Sequence, residues 1–278
     1  MTGWKSSGRR ILITVAIIYV LFCICGCALQ RRLLYFPTVI PADVIEKVAK
    51  DHGFEPWKNP AGEIIGWKKP ATSNSTGSVL IVHGNAGCAL GRDYIAQPIH
   101  EAADVDVYIL EYPGYGARGG SPSKTSIDAA AEEAFQQLPK DRLRYVVSES
   151  IGAGPAGDLV KNHPSEIAGV AMLVPYDNLA SVAQRRMWFL PAYFFLLDRF
   201  NPGECLKHYR GPIKFAIAGD DEIIGAASGL RLANGYLGAK EIQVVPGAHH
   251  NDVAEQTPDW WREVFAFWQK NEASHAKK

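Results

Sequence analysis

The segment YVVSESIGAG, residues 145–154, decides the fold, because a short β-branched run leads there directly into small residues. A strand that turns sharply into a helix leaves the residue at the turn accessible above the sheet. The residues two before and two after that position must be small, since the backbones nearly touch. Gly152 fits this requirement, whereas Ser148 stands where a glycine is usual. The segment predicts a nucleophile elbow at Ser150, with a serine that merely caps a helix as the alternative.

Short apolar runs alternate with longer amphipathic stretches on both sides of this segment. The strand-like runs lie at 79–82, 105–110, 145–147, 170–174, 215–218 and 242–245, after a pair at 55–57 and 63–68. The helix-like stretches lie at 42–50, 125–138, 151–161, 226–236 and 258–269. Strands that are apolar throughout and alternate with helices indicate a mostly parallel sheet covered by helices on both faces. We therefore predict an α/β fold with its site at the carboxyl ends of the strands.

The overall composition disfavours several other classes of protein. The chain has 278 residues, with 29 basic and 29 acidic side chains, and 47% of its residues are hydrophobic. Disordered chains combine low hydrophobicity with high net charge, and nucleic-acid-binding domains usually carry a basic surplus, so neither class is favoured. Repeats with a period of 20–50 residues, which predict solenoids or propellers, are not visible in the sequence.

The N-terminus combines a basic stretch with an apolar one. Lys5, Arg9 and Arg10 precede residues 11–29, which contain no charged side chain. This order is that of a signal peptide, but the segment is also nearly long enough to span a bilayer core of about 30 Å. We expect a membrane-anchored protein whose main body lies outside the cytoplasm, facing the periplasm or the cell exterior.

Three of the five cysteines lie inside the apolar segment, at Cys23, Cys25 and Cys27. Residues 24–27, ICGC, resemble a bacterial lipoprotein box, in which Cys27 would be lipidated. A lipoprotein, an uncleaved transmembrane anchor and a signal that is removed therefore stay open. Beyond the segment only Cys88 and Cys205 remain, too few for a disulfide framework or a metal cluster. We expect both to be buried thiols, with one bridge between them as the alternative.

The chain is assigned a short N-terminal segment and one large domain. Residues 1–29 form the signal, lipoprotein or transmembrane segment, and residues 30–278 form the α/β domain. Residues 177–209 interrupt the alternation and include MWFLPAYFFLLDRF at 187–200, which is rich in aromatic side chains. We predict a short helical cap insertion here, with two interpretations. It is either a segment packed on the core or an apolar wall over the site, suited to an acyl chain or a membrane.

Loops that follow other predicted strands carry candidates for acyl transfer. The loop HGNAG at 83–87 offers the backbone N–H of Asn85, which together with that of Ile151 is suited to bind an oxyanion. His83 itself is interpreted as a structural loop residue. His250 follows the last predicted strand and is the candidate base, with His249 as its close competitor.

An imidazole base needs a carboxylate that fixes its tautomer. Asp220, Asp221 and Glu222 follow the run at 215–218, and we assign Asp221 among the three. The resulting order along the chain, Ser150, Asp221 and His250, is that of α/β-hydrolases and differs from the order in chymotrypsin and subtilisin.

With these loops in order, the chain resembles the α/β-hydrolase superfamily and, more narrowly, the Bem46/ABHD-type membrane-tethered serine hydrolases. The motifs are LLYFPT at 33–38, HGNAG at 83–87, EYPGYG at 111–116 and AHHND at 248–252. The resemblance implies Ser150 as nucleophile, His250 as general base and Asp221 as the acid. Two departures are Ser148 and an acid loop that is one residue short after Gly219, which puts Glu222 at the acid's place by that count.

The expected activity is hydrolysis of an ester, thioester or amide through an acyl-enzyme on Ser150. A lipid-like or acyl ester is favoured and a peptide is less so, and no metal or organic cofactor is needed. The expected partners are a small acyl substrate and the membrane, with no nucleic acid. The alternative is an inactive, membrane-tethered binding protein with the same fold, in which Ser150 would lie beyond hydrogen-bond reach of His250.

Overall fold

The computed structural model describes residues 3–275, and their side chains from residue 8 to residue 271. The outer ends of the predicted ranges 1–29 and 30–278 lie outside the described residues, as does the side chain of Lys5 in the basic stretch. The ten helices and ten strands given below are those of the described residues.

Eight strands form one central sheet. In chain order the strands are β1 (Phe36–Pro37), β2 (Glu55–Lys58), β3 (Ile64–Lys69), β4 (Gly77–Val82), β5 (Ala86–Gly87), β6 (Val105–Leu110), β7 (Leu143–Glu149), β8 (Gly169–Leu173), β9 (Ile213–Ala218) and β10 (Lys240–Val245). The sheet has the order β10-β9-β8-β7-β4-β6-β3-β2, and β1 pairs separately with β5. Within this sheet the pairs β2–β3 and β3–β6 are antiparallel, and the other five pairs are parallel. The predicted mostly parallel sheet is confirmed.

Helices cover both faces of the sheet. They are α1 (Gly3–Leu34), α2 (Ala42–Asp51), α3 (Asp93–Ala102), α4 (Lys124–Gln137), α5 (Ala153–Asn162), α6 (Leu179–Arg186), α7 (Ala192–Phe195), α8 (Pro202–Cys205), α9 (Ala226–Gly235) and α10 (Pro258–His275). Successive side chains of a strand point to opposite faces. Leu80 and Val82 of β4 accordingly join the core beneath α4, α5 and α9, whereas Val79 and Ile81 join the core beneath α2, α3 and α10.

One covering helix, α3, is absent from the sequence-based prediction. It contains Pro98, a residue that removes one backbone donor and usually breaks a helix. Ile95, Ala96 and Ile99 of the same helix are nevertheless buried against the sheet. Tertiary packing therefore outweighs the local cost of the proline.

The helix α1 is continuous to Leu34 and runs five residues beyond the predicted end of the apolar segment. Its part Gly8–Leu34 is long and apolar enough to cross a membrane, and its apolar window is not buried inside the protein. Cys23, Cys25 and Cys27 on this helix are unpaired, whereas Cys88 and Cys205 are free and buried, as expected from the sequence.

The insertion at 177–209 contains α6, α7 and α8, so its helical content agrees with the sequence-based expectation. Leu179, Ala180 and Val182 of α6 are buried against the domain. Trp188 and Phe194, in contrast, are 80% and 76% exposed. The insertion therefore has a base that packs on the core and an apolar part that faces outward.

Candidate active site

Ser150 lies at the sharp turn between β7 and α5. Its φ of 51° is in the left-handed region, which residues other than glycine rarely adopt. A 3₁₀ turn, Ser150–Gly152, leads from this residue into α5. A Cβ atom on Gly152 would lie 2.1 Å from the carbonyl oxygen of Val82 in β4, so only glycine lets the turn pass so close. This combination of a strained serine and a close backbone approach is that of a nucleophile elbow.

The structure brings Ser150, His250 and Asp221 into one hydrogen-bonded chain. His250 Nε2 lies 3.0 Å from Ser150 Oγ, and His250 Nδ1 lies 2.8 Å from Asp221 Oδ2. With Nδ1–H donating to Asp221, Nε2 is left as the acceptor for the hydroxyl proton of Ser150. The side chains of His250 and Asp221 are only 6% and 4% exposed, so little water competes for these bonds. The arrangement can activate a serine hydroxyl.

The two neighbouring acids of Asp221 do not contact the His250 ring. Asp220 is exposed, and Glu222 accepts a hydrogen bond from the backbone N–H of His250 at 3.2 Å. Glu222 also lies 3.3 Å from Nδ1 of the competing histidine, His249, and both of these side chains are more than half exposed. Counting residues from Gly219 therefore predicts the wrong partner for the His250 ring, Glu222 instead of Asp221.

Backbone donors hold Asp221 in its ionised form. Its Oδ1 accepts hydrogen bonds from the N–H groups of Ile223 and Ile224 at 3.0 and 2.8 Å. Burial acts to raise the pKa of Asp221, but the hydrogen bonds from His250 and from these N–H groups outweigh it, and the pKa lies below its ordinary value. A carboxylate that stays ionised at neutral pH can stabilise an imidazolium.

The loop after β4 lies beside the elbow. Val82 of β4 pairs with Ser148 of β7, so the two strands end side by side. The side chain of Asn85 donates to the carbonyl of Leu34 at 2.9 Å, and its carbonyl accepts from the N–H of Phe36 at 3.0 Å. These contacts fix the backbone of Asn85 near the end of β7. The oxyanion role of the Asn85 and Ile151 N–H groups stays a prediction.

The motif EYPGYG at 111–116 braces this loop. The hydroxyls of Tyr112 and Tyr115 donate to the carbonyls of His83 and Asn85, each at 2.7 Å. His83 is fully buried, and burial lowers its pKa well below the ordinary value, so its ring is neutral. Burial likewise raises the pKa of Glu111 to about 7. The motif and His83 therefore have a structural role next to the site.

A buried ion pair that sequence reasoning missed links the loop to the elbow. Glu149, directly before Ser150, accepts from the Gly84 N–H and from Arg92 Nε, each at 2.9 Å, and from the Tyr94 hydroxyl at 2.8 Å. Burial acts to raise the pKa of Glu149, but the charge of Arg92 and these hydrogen bonds leave it below its ordinary value. The signal in the sequence was an acid at the end of an apolar strand, where an unpaired charge would be costly.

Replacing Glu149 with glutamine is expected to destabilise the domain by about 3 kcal/mol, because Arg92 then stays buried without a counter-charge. For a domain of this size the Tm would fall by roughly 10 °C. Thermal unfolding of the detergent-solubilised protein measures this change. The double variant Arg92→Met, Glu149→Gln should recover part of the loss. A single variant that melts with the wild type would show that the pair does not stabilise the loop.

The departure at Ser148 is accommodated by the fold. Ser148 is fully buried in β7 between Val82 and Met172, and its hydroxyl has no hydrogen-bond partner among the described residues. A buried hydroxyl without a partner costs free energy of about 1–3 kcal/mol.

Replacing Ser148 with alanine is therefore expected to raise the Tm by a few degrees, since it removes the unsatisfied hydroxyl and keeps the Cβ atom. Hydrolytic activity should stay at the wild-type level, because the Ser148 hydroxyl makes no hydrogen bond to Ser150 or His250. Thermal unfolding and an ester assay on the same preparation test both statements. A lower Tm would mean that the hydroxyl makes a stabilising bond.

A cleft of about 210 Å³ lies beside the acid loop, between α6 of the insertion and the residues that follow Asp221. Arg186 of α6 donates to the carbonyl of Glu222 at 2.9 Å, and Arg185 donates to that of Ile224 at 3.3 Å. The insertion therefore contacts the loop that carries Asp221. The described residues contain no group of three or more His, Cys, Asp or Glu side chains arranged to hold a metal ion.

Comparison with known proteins places this fold and site in context. No model of a known protein family matches the chain. An uncharacterized protein of Mycobacterium tuberculosis is 31% identical over 241 residues, which cover 80% of this chain and 81% of that protein. The lysophosphatidylserine lipase ABHD12 of Macaca fascicularis is 25% identical over 251 residues, which cover 79% of this chain and 62% of that protein. The chain thus spans less than two thirds of that lipase.

Among solved structures, an esterase of Pyrococcus furiosus superposes with a TM-score of 0.63 at 16% sequence identity. The superposition covers 86% of this chain and 98% of the esterase. At this level of identity the likeness shows the fold alone, and the fold is the one predicted from the sequence.

Proposed function

The chain belongs to the ABHD-type α/β-hydrolases, and we propose that it is a serine hydrolase that cleaves lipid-like acyl esters through an acyl-enzyme. One observation carries the proposal, the unbroken hydrogen-bonded chain from Asp221 through His250 to Ser150 on a strained turn. A buried carboxylate, an imidazole and an activated hydroxyl in this geometry suit acyl transfer and need no metal or cofactor.

Acylation begins when Ser150 Oγ attacks the ester carbonyl and His250 Nε2 accepts the hydroxyl proton. Asp221 holds the imidazole in the tautomer with hydrogen on Nδ1 and stabilises the imidazolium that forms. The backbone N–H groups of Asn85 and Ile151 are the proposed donors to the oxyanion, which gathers negative charge in the transition state. His250 then protonates the leaving alcohol, and the acyl group stays on Ser150.

Deacylation uses the same residues in reverse. His250 accepts a proton from water, which attacks the acyl carbonyl, and returns the proton to Ser150 Oγ as the acid leaves.

Several features support a lipid-like substrate over a peptide. One relative is named a lysophosphatidylserine lipase, and a structural neighbour is named an esterase. The insertion next to the acid loop exposes large aromatic side chains, which suit an acyl chain. The apolar helix α1 would keep the enzyme at the surface where such substrates reside.

The contacts of α1 favour an uncleaved transmembrane anchor over a lipoprotein processed at Cys27. The hydroxyl of Tyr19 donates to the carbonyl of Phe189 at 3.1 Å, and the ring of Phe22 stacks on that of Phe189 at 6.5 Å. Tyr19 and Phe22 precede Cys27 and would be lost if the chain were cleaved before Cys27. We propose residues 1–29 as a retained anchor and residues 30–278 as the catalytic domain, with 177–209 as its cap, facing the periplasm or the cell exterior.

The alternative of an inactive binding protein requires that Ser150 lie out of reach of His250. The distance of 3.0 Å between Ser150 Oγ and His250 Nε2 counts against that alternative.

The proposal is tested by assaying the full-length protein in detergent with p-nitrophenyl esters of increasing acyl length, monoacyl lipids and an aminoacyl p-nitroanilide. We expect ester hydrolysis that is faster for longer acyl chains, with negligible amide cleavage. Turnover of the anilide alone would make the protein a peptidase. A folded protein without any turnover would favour the binding protein.

A further inference from the structure

The insertion carries an exposed apolar surface, here called the aromatic face, made by Trp188, Phe189, Phe194, Phe195 and Leu197. We propose that the aromatic face is immersed in the hydrocarbon of the bilayer that α1 crosses. Both α1 and the insertion then anchor the protein in the membrane. The inference concerns a lipid surface and does not depend on which reaction the site catalyses.

The exposure of these side chains is large for a protein surface in water. The exposed fractions of the side chains run from 50% for Phe189 and Phe195 to 80% for Trp188. Five large apolar side chains within ten residues form a patch of the kind that marks a membrane or partner interface.

The aromatic face is continuous with the apolar surface of α1. Phe189 contacts Tyr19 and Phe22, as described above. Farther along the helix, Gln30 donates from Nε2 to the carbonyl of Phe195 at 3.3 Å. Since a helix rises about 1.5 Å per residue, the insertion follows α1 for roughly 16 Å between Tyr19 and Gln30.

The charged residues at the two ends of α1 indicate how deep in the bilayer its contacts with the insertion lie. Residues 11–29 lack charge and lie between Arg9 and Arg10 at one end and Arg31 and Arg32 at the other. A charge-free helix of this length matches a bilayer core of about 30 Å. Tyr19 lies at the middle of this span, so Phe189 reaches hydrocarbon depth whenever α1 spans the membrane.

Several polar groups in the irregular backbone of the insertion have partners inside the protein. Gln30 Oε1 accepts from the N–H of Leu197 at 2.7 Å, in addition to the bond from its Nε2 to Phe195. Gln184 Oε1 accepts from the N–H of Tyr193 at 3.1 Å. Non-helical backbone at membrane depth is stable only where its polar groups are satisfied within the protein. In water these groups would need no such partners.

A boundary of charged residues marks where the insertion leaves the lipid. Arg31 of α1 forms two bonds to Asp198 at 3.0 and 3.2 Å, directly after the aromatic face. Arg199 follows Asp198, and Arg185 and Arg186 end α6 on the other side. Arginines are favoured at the headgroup level, where they meet anionic lipids. Because α6 contacts the acid loop, an insertion held at this depth in the bilayer places the cleft at the lipid surface.

The test uses the emission of Trp188 in the full-length chain, made by cell-free synthesis directly into phosphatidylcholine vesicles. The difference in emission between wild type and Trp188→Phe isolates this side chain, since the other tryptophans cancel. We expect a loss of this difference emission when the lipids carry bromine in their acyl chains and no loss with aqueous iodide. Loss with iodide and none with brominated lipid would overturn the proposal.

A matched variant checks that the quenching reports the aromatic face. Trp260 lies at the start of α10 and is buried. Trp260→Phe should leave the quenching by brominated lipid at the wild-type level, whereas Trp188→Phe should lower it. Equal quenching in Trp188→Phe and wild type would also contradict the proposal. Because Trp188 is exposed, its replacement by phenylalanine does not put folding at risk.

Discussion

Replacing Ser150 with alanine is expected to lower kcat by about 10⁵- to 10⁶-fold, because the variant has no oxygen that can form the acyl-enzyme. The hydroxyl lies 3.0 Å from His250 Nε2, the nitrogen proposed to accept its proton. Its backbone is held at a φ of 51°, which presents the oxygen to the substrate. The measurement is the rate of hydrolysis of the best p-nitrophenyl ester at saturating concentration.

Ser148→Ala is the matched control for this experiment, since it removes a hydroxyl that lies two residues before Ser150, on β7. Its side chain is buried and points away from solvent, so its loss should leave kcat unchanged. If Ser150→Ala kept a substantial part of the activity while remaining folded, another nucleophile or an activated water would carry the reaction.

Replacing Asp221 with asparagine is expected to lower kcat by about 10⁴-fold with little change in KM. The amide of asparagine would donate to His250 Nδ1, which puts the ring hydrogen on Nε2, so that nitrogen can no longer accept from Ser150. The side-chain volume and the hydrogen bonds from Ile223 and Ile224 to the remaining oxygen are preserved, so the fold is expected to persist.

Glu222→Gln separates Asp221 from Glu222, two of the three carboxylates that the sequence left open. Glu222 contacts the backbone of His250 and the exposed ring of His249, so its loss should reduce kcat by less than about 10-fold. Parallel kinetics of the two variants give the comparison. A larger loss for Glu222→Gln than for Asp221→Asn would reverse the assignment of the acid.

The centre of the sheet was predictable because its strands are buried on both faces. Runs such as 79–82 and 105–110 bury every side chain, and an apolar or nearly apolar run between turn residues indicates a strand without reference to the rest of the chain. The helix α3 was not predictable in this way, since Pro98 removes the local signal and only the packing of Ile95 and Ile99 restores the helix.

The candidate site was predictable where local geometry demands particular residues. The turn at Ser150 requires Gly152, and the order of the acid and the histidine loops follows from the order of the strands. The pairing of Asp221 with His250 was harder to assign, because three adjacent acids differ only in where the loop directs their side chains.

Contacts between distant parts of the chain left the weakest sequence signals. The pairing of Arg92 with Glu149 joins residues that are 57 positions apart, and the contact of Tyr19 with Phe189 joins residues 170 positions apart. Neither has a local pattern, because each side chain alone suits an ordinary helix or strand. The structure was needed to show that the anchor helix and the insertion form one apolar surface.

The most direct test of Ser150 as an activated nucleophile is covalent labelling with a fluorophosphonate probe, followed by mass spectrometry of the digested protein. We predict one adduct, on the peptide that contains Ser150, and its loss in His250→Ala, where the base is missing. An adduct on another residue, or a folded wild-type protein that takes up no probe, would contradict the proposed serine hydrolase.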